Sequence, residues 1–246
     1  MSDALAIEVS GLTKRFGSQA ALDGIAFRLG RGESLAVFGP NGAGKTTLTR
    51  ILTSTLRSTA GTIRIEGHDP REDEIRTRRT LGLISHQTFL YDDLSARENL
   101  VFFGRIHGLG DPRLRADALL ESVRLEDRAD DPVRTFSRGM QQRLALARCL
   151  IHDPQIVFLD EPFTGLDPYA ASLFRATLER LRADGRTILL VTHNLTEGLE
   201  LSDRWMILAR GRIVAEGVSA GTDRVAFERD YLHHVALARG GGRATA

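Results

Sequence analysis

Cysteine is almost absent from this sequence: Cys149 is the only one among 246 residues. A single thiol cannot form a disulfide within the chain, and such low cysteine usage fits a reducing compartment. Cys149 lies in an apolar pattern of helical type, so we expect a packed thiol rather than a reactive one. A disulfide framework is therefore excluded as a source of stability.

Long apolar runs and an excess of charge are also missing. No stretch approaches 18 consecutive apolar residues, so we do not expect the chain to cross a membrane alone. The start, "MSDALAIEVS", lacks a basic region followed by an apolar core, so we expect no signal peptide. The formal net charge is only +1, which gives no bulk electrostatic reason to bind nucleic acid or an anionic membrane. We therefore expect no nucleic-acid partner.

The composition that remains is that of an ordinary globular protein, with 42% hydrophobic and 26% charged residues. Continuous apolar runs such as "SLAVFG", "QIVFLDEP" and "RTILLVTH" predict buried strands of a parallel sheet covered on both faces. Helical patterns dominate from about residue 92 to residue 152, and "KTTLTRILTSTL" also predicts a helix. A hairpin is predicted for "RWMILARGRIVAEG", and the tail "ARGGGRATA" is expected to be disordered. This order indicates an α/β core interrupted by a helical lobe.

A glycine-rich motif follows the predicted strand "SLAVFG" and opens the next helix. The stretch "GPNGAGKT" fits the pattern G-x-x-x-x-G-K-[ST] in the strand-to-helix context that the pattern requires. Backbone N–H groups and the helix N-terminus favour a polyphosphate there, Lys45 reaches its terminal phosphates, and the Thr46 hydroxyl suits Mg²⁺. The alternative is a glycine-rich turn without a ligand. The predicted nucleotide-binding residues are Gly39, Pro40, Asn41, Gly42, Ala43, Gly44, Lys45, Thr46 and Thr47.

Two acids stand at the end of another buried strand, in "IVFLDE". Ligands gather at the carboxyl ends of strands in open α/β sheets. We therefore expect Asp160 to hold Mg²⁺ and Glu161 to polarise an attacking water. The alternative is a solvated acidic pair that ends a strand.

The stretch "FSRGMQQR", residues 136–143, precedes a helical run. A Ser hydroxyl, a Gly backbone N–H and a helix N-terminus suit two roles, an ordinary helix cap and a phosphate-binding site. The stretch by itself leaves both open.

Taken in order, these motifs resemble the ATP-binding cassette ATPases. The set consists of Gly39–Thr46, Gln87, "FSRGMQQR", "IVFLDEP", "GLD" at 165–167 and His193. The resemblance implies a P-loop NTPase fold of class α/β, with a mixed sheet (a parallel core plus an antiparallel β-subdomain) and an inserted helical subdomain. It implies one domain over 1–246, with a core at 1–90 and 153–220, a helical subdomain at about 91–152, and a C-terminal helix and tail at 221–246.

The resemblance also implies a role for each matching position. Phe16 would stack on adenine, and Gln87 would contact Mg²⁺ and water, so the metal ligands are Thr46, Gln87 and Asp160. His193 would bind the γ-phosphate and act with Glu161. The signature residues would bind the ATP held by a second subunit; they are Ser137, Arg138, Gly139, Met140 and Gln141. The segment Gly165, Leu166 and Asp167 would lie at the dimer interface, with Asp167 also capping a helix.

Three signature positions depart from the family's commonest form, Leu-Ser-Gly-Gly-Gln, and Phe136 in place of Leu is a conservative change. Arg138 replaces the first Gly and Met140 replaces Gln, while Ser137 and Gly139 are retained. The departure leaves the ATP contact in place and puts the turnover rate in question. This form of the motif favours an exporter.

The resemblance as a whole implies an ATPase subunit that uses ATP and Mg²⁺ to drive a membrane transporter. Its partners would be a second ATPase subunit, identical or different, and a separate transmembrane permease. It would lie peripherally on the cytoplasmic face of the cell membrane, with "TFLYDDL" facing the permease. The cargo suggested by the signature region is haem, as in cytochrome c maturation, with drug or polysaccharide export as alternatives. A non-transport cassette acting on ribosomes, DNA or cell division is the competing class, and a P-loop kinase would not explain Ser137–Gly139 or His193.

Overall fold

The computed structural model describes residues 4–85 and 87–240, without the side chains of 238–240. The expected disorder of the tail therefore lies largely outside the described residues. The described chain forms two compact units, one of residues 1–78 and 185–246 and the other of residues 79–184. The strands are β1 (Leu5–Phe16), β2 (Gln19–Gly30), β3 (Ser34–Phe38), β4 (Ala60–Ile65), β5 (Leu81–Ile84), β6 (Ile156–Asp160), β7 (Thr187–Val191), β8 (Arg204–Ala209) and β9 (Arg212–Val218). The helices are α1 (Lys45–Leu52), α2 (Glu74–Thr80), α3 (Ala96–Ile106), α4 (Pro112–Ser122), α5 (Arg138–Leu150), α6 (Pro168–Ala183), α7 (Leu195–Leu201) and α8 (Arg224–Gly240).

The first unit contains both kinds of strand pairing. Strand β1 pairs antiparallel with β2 and β4, while β3 lies parallel between β7 and β8. All residues of β3 and β7 are buried, as the continuous apolar runs predicted for a covered parallel sheet. Strands β8 and β9 form the predicted hairpin. Beside this sheet, Phe38 and Phe227 of α8 pack with their ring centroids 5.3 Å apart.

The second unit combines a short parallel pair with most of the helices. Strand β5 pairs parallel with β6, whose residues are all buried. Between residues 91 and 152 the chain forms α3, α4, α5 and two 3-10 turns. A capping box begins α3, where the Ser95 hydroxyl accepts from the Glu98 N–H and the Glu98 carboxylate accepts from the Ser95 N–H. Cys149 is buried on α5, and this burial raises the pKa of its thiol to about 12, which confirms the prediction of a packed thiol.

One helix is shorter than the sequence predicts. The pattern of "KTTLTRILTSTL" extends to Leu56, but α1 ends at Leu52. Ser54 adopts a left-handed conformation with φ 56°, and the N–H groups of Thr55 and Leu56 both donate to the Arg50 carbonyl. The run of β-branched and small polar residues favours this closing turn over another helical turn.

Of the helices in the described part of the chain, none combines the length and the apolar composition that a membrane crossing requires.

Candidate nucleotide-binding and hydrolysis residues

The glycine-rich loop of the first unit connects β3 to α1. An added Cβ at Gly39 would lie 2.2 Å from the Leu208 carbonyl oxygen, and one at Gly44 would lie 2.5 Å from the Ala21 carbonyl oxygen. Both glycines have positive φ, 155° and 107°. Only glycine fits these two positions, because the backbone conformation and the neighbouring backbone both exclude a side chain.

The loop holds a buried cation and leads into a helix without a side-chain cap. The Lys45 ammonium is 9% exposed and donates to the Gly39 carbonyl at 2.6 Å and to the Pro40 carbonyl at 3.1 Å. The N-cap of α1 is Gly44, which has no side chain to bond to the first N–H groups of the helix. By contrast, side chains cap α3, α5 and α6. A positively charged side chain and an uncapped helix N-terminus together favour a bound anion.

Parallel pairing places His193 at the same sheet edge as this loop. Val37 of β3 is in register with Val191 of β7, and Gly39 and His193 each follow two residues later. The His193 side chain is exposed. The residues on either side of His193 fix the backbone there. Asn194 caps α7, and the Asn194 N–H donates to the Thr192 hydroxyl at 3.0 Å.

Phe16 ends β1 in the first unit, and its ring is 52% exposed. The Lys14 ammonium lies 5.0 Å from the ring centroid. An aromatic ring at a strand end with an open face suits stacking on a flat base.

In the second unit, parallel pairing brings the acidic pair and Gln87 to one edge. Ile84 of β5 is in register with Leu159 of β6, so Asp160, the last residue of β6, and Gln87, three residues after β5, both lie towards the carboxyl ends of their strands. Asp160 is 7% exposed. Glu161 is half-buried and has a left-handed backbone, with φ 53°. Because a non-glycine residue rarely adopts this conformation, the surrounding chain must hold Glu161 in place.

The start of α5 shows that "FSRGMQQR" contains an ordinary helix cap, the first of the two roles that the sequence left open. Ser137 is the N-cap, and its hydroxyl accepts a hydrogen bond from the Met140 N–H at 3.3 Å. Gly139 is buried, and an added Cβ there would lie 2.7 Å from Cβ of Ala170 on α6. The glycine is therefore also required for the close approach of α5 and α6, a packing constraint that the sequence motif did not reveal.

The segment 165–167 adjoins the start of α5 within the same unit. Asp167 caps α6 by accepting from the Ala170 N–H at 2.8 Å, as the sequence predicts. The Arg138 guanidinium packs on Gly165, and the Gln142 side-chain amide donates to the Pro162 carbonyl at 3.1 Å. Sequence reasoning did not identify Gln142, because a polar residue within a helix gives no signal of a contact with a distant loop.

Comparison with known proteins agrees with this arrangement. The family model described as ABC transporter matches residues 22–164. A daunorubicin resistance ATP-binding protein from Streptomyces coeruleorubidus is 43% identical over 228 residues, which cover 89% of this chain and 72% of the relative. The Nod factor export ATP-binding protein I of Ralstonia nicotianae is 43% identical over 213 residues, covering 86% of this chain and 66% of the relative.

Among solved structures, an ATP-binding cassette in a dimeric post-hydrolysis state with ADP and Pi superposes with a TM-score of 0.80. It is 27% identical in sequence, and the match covers 88% of this chain and 100% of that chain. The predicted P-loop NTPase fold, with its antiparallel strands and inserted helices, is thereby confirmed. The chain is an ATPase, and it belongs to the ABC transporter family.

Proposed function

We propose that this chain is the ATP-hydrolysing subunit of an exporter. The observation that carries the proposal is the loop 39–46, where the buried Lys45 ammonium lies beside an uncapped helix N-terminus. This loop would bind the phosphates of ATP, with Phe16 against the adenine. The named relatives act in drug resistance and Nod factor export, which favours export of a drug-like cargo and gives no support to haem export or cytochrome c biogenesis.

The oxygen ligands present fit Mg²⁺, which prefers carboxylate and hydroxyl donors. Asp160 is a nearly buried carboxylate and Thr46 is exposed at the first turn of α1. These two residues and Gln87 would hold the ion, which would neutralise phosphate charge. Glu161 would accept a proton from water, and His193 would hold the γ-phosphate by a hydrogen bond. Ser137 and Gly139 would bind the ATP of a second cassette subunit.

Two substitutions separate binding from chemistry. Lys45→Ala removes a charge-assisted contact of about 1.5–3 kcal/mol, so the Kd for ATP should rise by roughly 10- to 150-fold. Glu161→Gln keeps the size of the side chain but removes the basic carboxylate, so turnover should fall by roughly 10²–10⁴ while ATP binding survives. The measurements are ATP titration and phosphate release.

Matched controls are Arg50→Ala, exposed on α1, and Glu121→Gln, exposed on α4. Both should behave as the parent protein. Unchanged ATP affinity in Lys45→Ala, or near-normal turnover in Glu161→Gln, would overturn the assignment of that residue.

The second unit also offers a surface for the proposed membrane partner. The rings of Tyr91 and Phe102 meet at 5.0 Å, and those of Phe102 and Phe103 at 5.4 Å. Phe89 and Tyr91 are 52% and 50% exposed. Asn99 is fully buried and fixes Tyr91 through bonds to both its N–H and its carbonyl, at 2.8 and 3.0 Å. Exposed aromatic rings held in place are typical of interface anchors.

The partner assignment is tested by co-purification of the membrane subunit with tagged chain. Phe89→Ala combined with Phe102→Ala should reduce its recovery, while Ile75→Ala, at a more exposed position in the first unit, should not. Equal recovery with all three chains would place the partner elsewhere, and the recovered subunit would identify the transporter.

A further inference from the structure

Helix α5 contacts the loop 161–167 at two points on one face. Arg138 and Gln142 are four residues apart, so their side chains lie on the same side of the helix. Gln142 Nε2 donates to the Pro162 carbonyl at 3.1 Å. An added Cβ at Gly165 would lie 2.7 Å from both Cζ and Nε of Arg138 and 3.1 Å from its Cδ. The guanidinium therefore covers the space beside the Gly165 backbone.

This loop needs external support. Glu161, its first residue, has a φ of 53°, a conformation that costs a non-glycine residue of the order of 1 kcal/mol or more. Gly165 is also left-handed, with φ 76°. Within the loop, the Thr164 N–H donates to the Glu161 carbonyl and the Leu166 N–H donates to the Phe163 carbonyl, both at 3.2 Å. Helix α5 adds the two side-chain contacts from outside the loop.

Arg138 is unfavourable for α5 itself. It is the first residue of the helix, where a cation opposes the helix dipole. The commonest form of the motif has glycine at this position, which would leave the space beside Gly165 empty. The benefit of arginine here must therefore come from a contact outside α5, and the observed contact is Gly165.

We propose that Arg138 is a positioning residue that packs on Gly165 and, with Gln142, holds the loop 161–167 so that Glu161 keeps its place. The inference rests on the proposed function, in which Glu161 is the base. Since Arg138 acts through packing, the planar group matters and the charge does not.

Three substitutions at one position test the proposal by steady-state ATP hydrolysis. Arg138→Gly should lower kcat about tenfold, the scale of a small misplacement of a catalytic group. Arg138→Gln keeps a planar group that reaches the positions of Cδ and Nε, so it should recover most of the lost turnover. Arg138→Lys keeps the charge without the plane and should resemble Arg138→Gly.

Several outcomes would overturn the proposal. Turnover restored by Lys but not by Gln would show that the charge acts, as it would on a phosphate. An unchanged kcat in Arg138→Gly would also contradict the proposal. So would losses of kcat that parallel losses of melting temperature in all three variants, because they would indicate a purely structural effect. If Glu161→Gln loses turnover while Arg138→Gly keeps the kcat of the parent chain, only the positioning role fails; near-normal turnover in Glu161→Gln would instead refute the proposed base.

A double-mutant cycle locates the contact. Gly165→Ala would displace the guanidinium and strain the backbone, so its kcat should also fall. If Arg138 acts through Gly165, the double variant should be no worse than the worse single variant. Losses that multiply would mean that the two residues act independently.

Discussion

At the scale of single residues, the clearest source of pH dependence is the protonation of two stacked histidines in the second unit. The rings of His107 and His152 lie parallel at 3.9 Å between centroids, and the His152 Nε2 lies 2.9 Å from the Leu81 carbonyl. Burial, aided by His107 and Arg148, lowers the pKa of His152 to about 4, against the opposing effects of the Leu81 hydrogen bond and Asp153. Burial also lowers the pKa of His107. Both imidazoles are therefore neutral in the folded protein near pH 7.

His152 should make folding sensitive to mild acid. Its pKa is lower in the folded state than the ordinary 6.5 of the unfolded chain, so its contribution is fully present above pH 6.5 and is lost as the pH falls towards 4. After allowance for the partial exposure of His152, we expect the free energy of unfolding to fall by ~1–2 kcal/mol over this pH range. Melting temperatures between pH 7.5 and 4.5 should fall less for His152→Gln than for the parent chain. Parallel curves for the two proteins would contradict this prediction.

At the scale of elements, the contact between α5 and α6 depends on the absence of one methyl group. Gly139 faces Ala170, and the Cβ it lacks would lie 2.7 Å from the Ala170 Cβ. Two well-packed helices cannot absorb such an overlap without a backbone shift. The spacing of these helices therefore also sets the distance between the Ser137 cap and the Asp167 cap.

Gly139→Ala should destabilise the protein by about 1–3 kcal/mol through overpacking, despite the better helix propensity of alanine. Adding Ala170→Gly removes the opposing methyl group, so the double variant should lose less stability than the sum of the two single variants. Urea unfolding of all four proteins measures this difference. Ser172→Ala, exposed on α6, is the control and should be neutral. Strict additivity of the two losses would show that the methyl groups do not meet.

At the scale of the whole molecule, the proposed composite sites make each chain depend on a second copy. A dimer of Ser137→Ala chains would carry two damaged sites, and so would a dimer of Glu161→Gln chains. In a mixed dimer, both lesions would fall on one site and the other would be intact. This arrangement follows from a two-fold, isologous assembly.

Mixing the two inactive variants should therefore restore hydrolysis. In an equal statistical mixture, half of the dimers are mixed and each has one working site of two, so turnover should reach about a quarter of the parent value if the sites act independently. The measurement is phosphate release by the mixture and by each variant alone at equal total concentration. Activity that stays at the average of the two variants would show that each chain holds a complete site.

Much of this protein could be predicted from its sequence, because local patterns have local causes. The all-buried runs of β3, β6 and β7 marked a covered parallel sheet, and the strand-to-helix setting of residues 39–46 marked a phosphate-binding loop. Asp167 marked the start of α6. In each case the residues that carry the signal are neighbours along the chain, so the sequence was sufficient to predict the feature.

What only the tertiary structure decided are features that join distant segments. Register between β3 and β7 placed His193 at the same sheet edge as the glycine-rich loop, and register between β5 and β6 placed Gln87 and Asp160 at one edge. The close approach of Gly139 to Ala170 and the packing of Arg138 on Gly165 also depend on how α5 lies against α6 and the loop before it. The sequence motif showed Arg138 as a departure from the commonest form, whereas the fold showed what the side chain contacts. Motifs determine which chemical groups are present, while packing determines which of them meet.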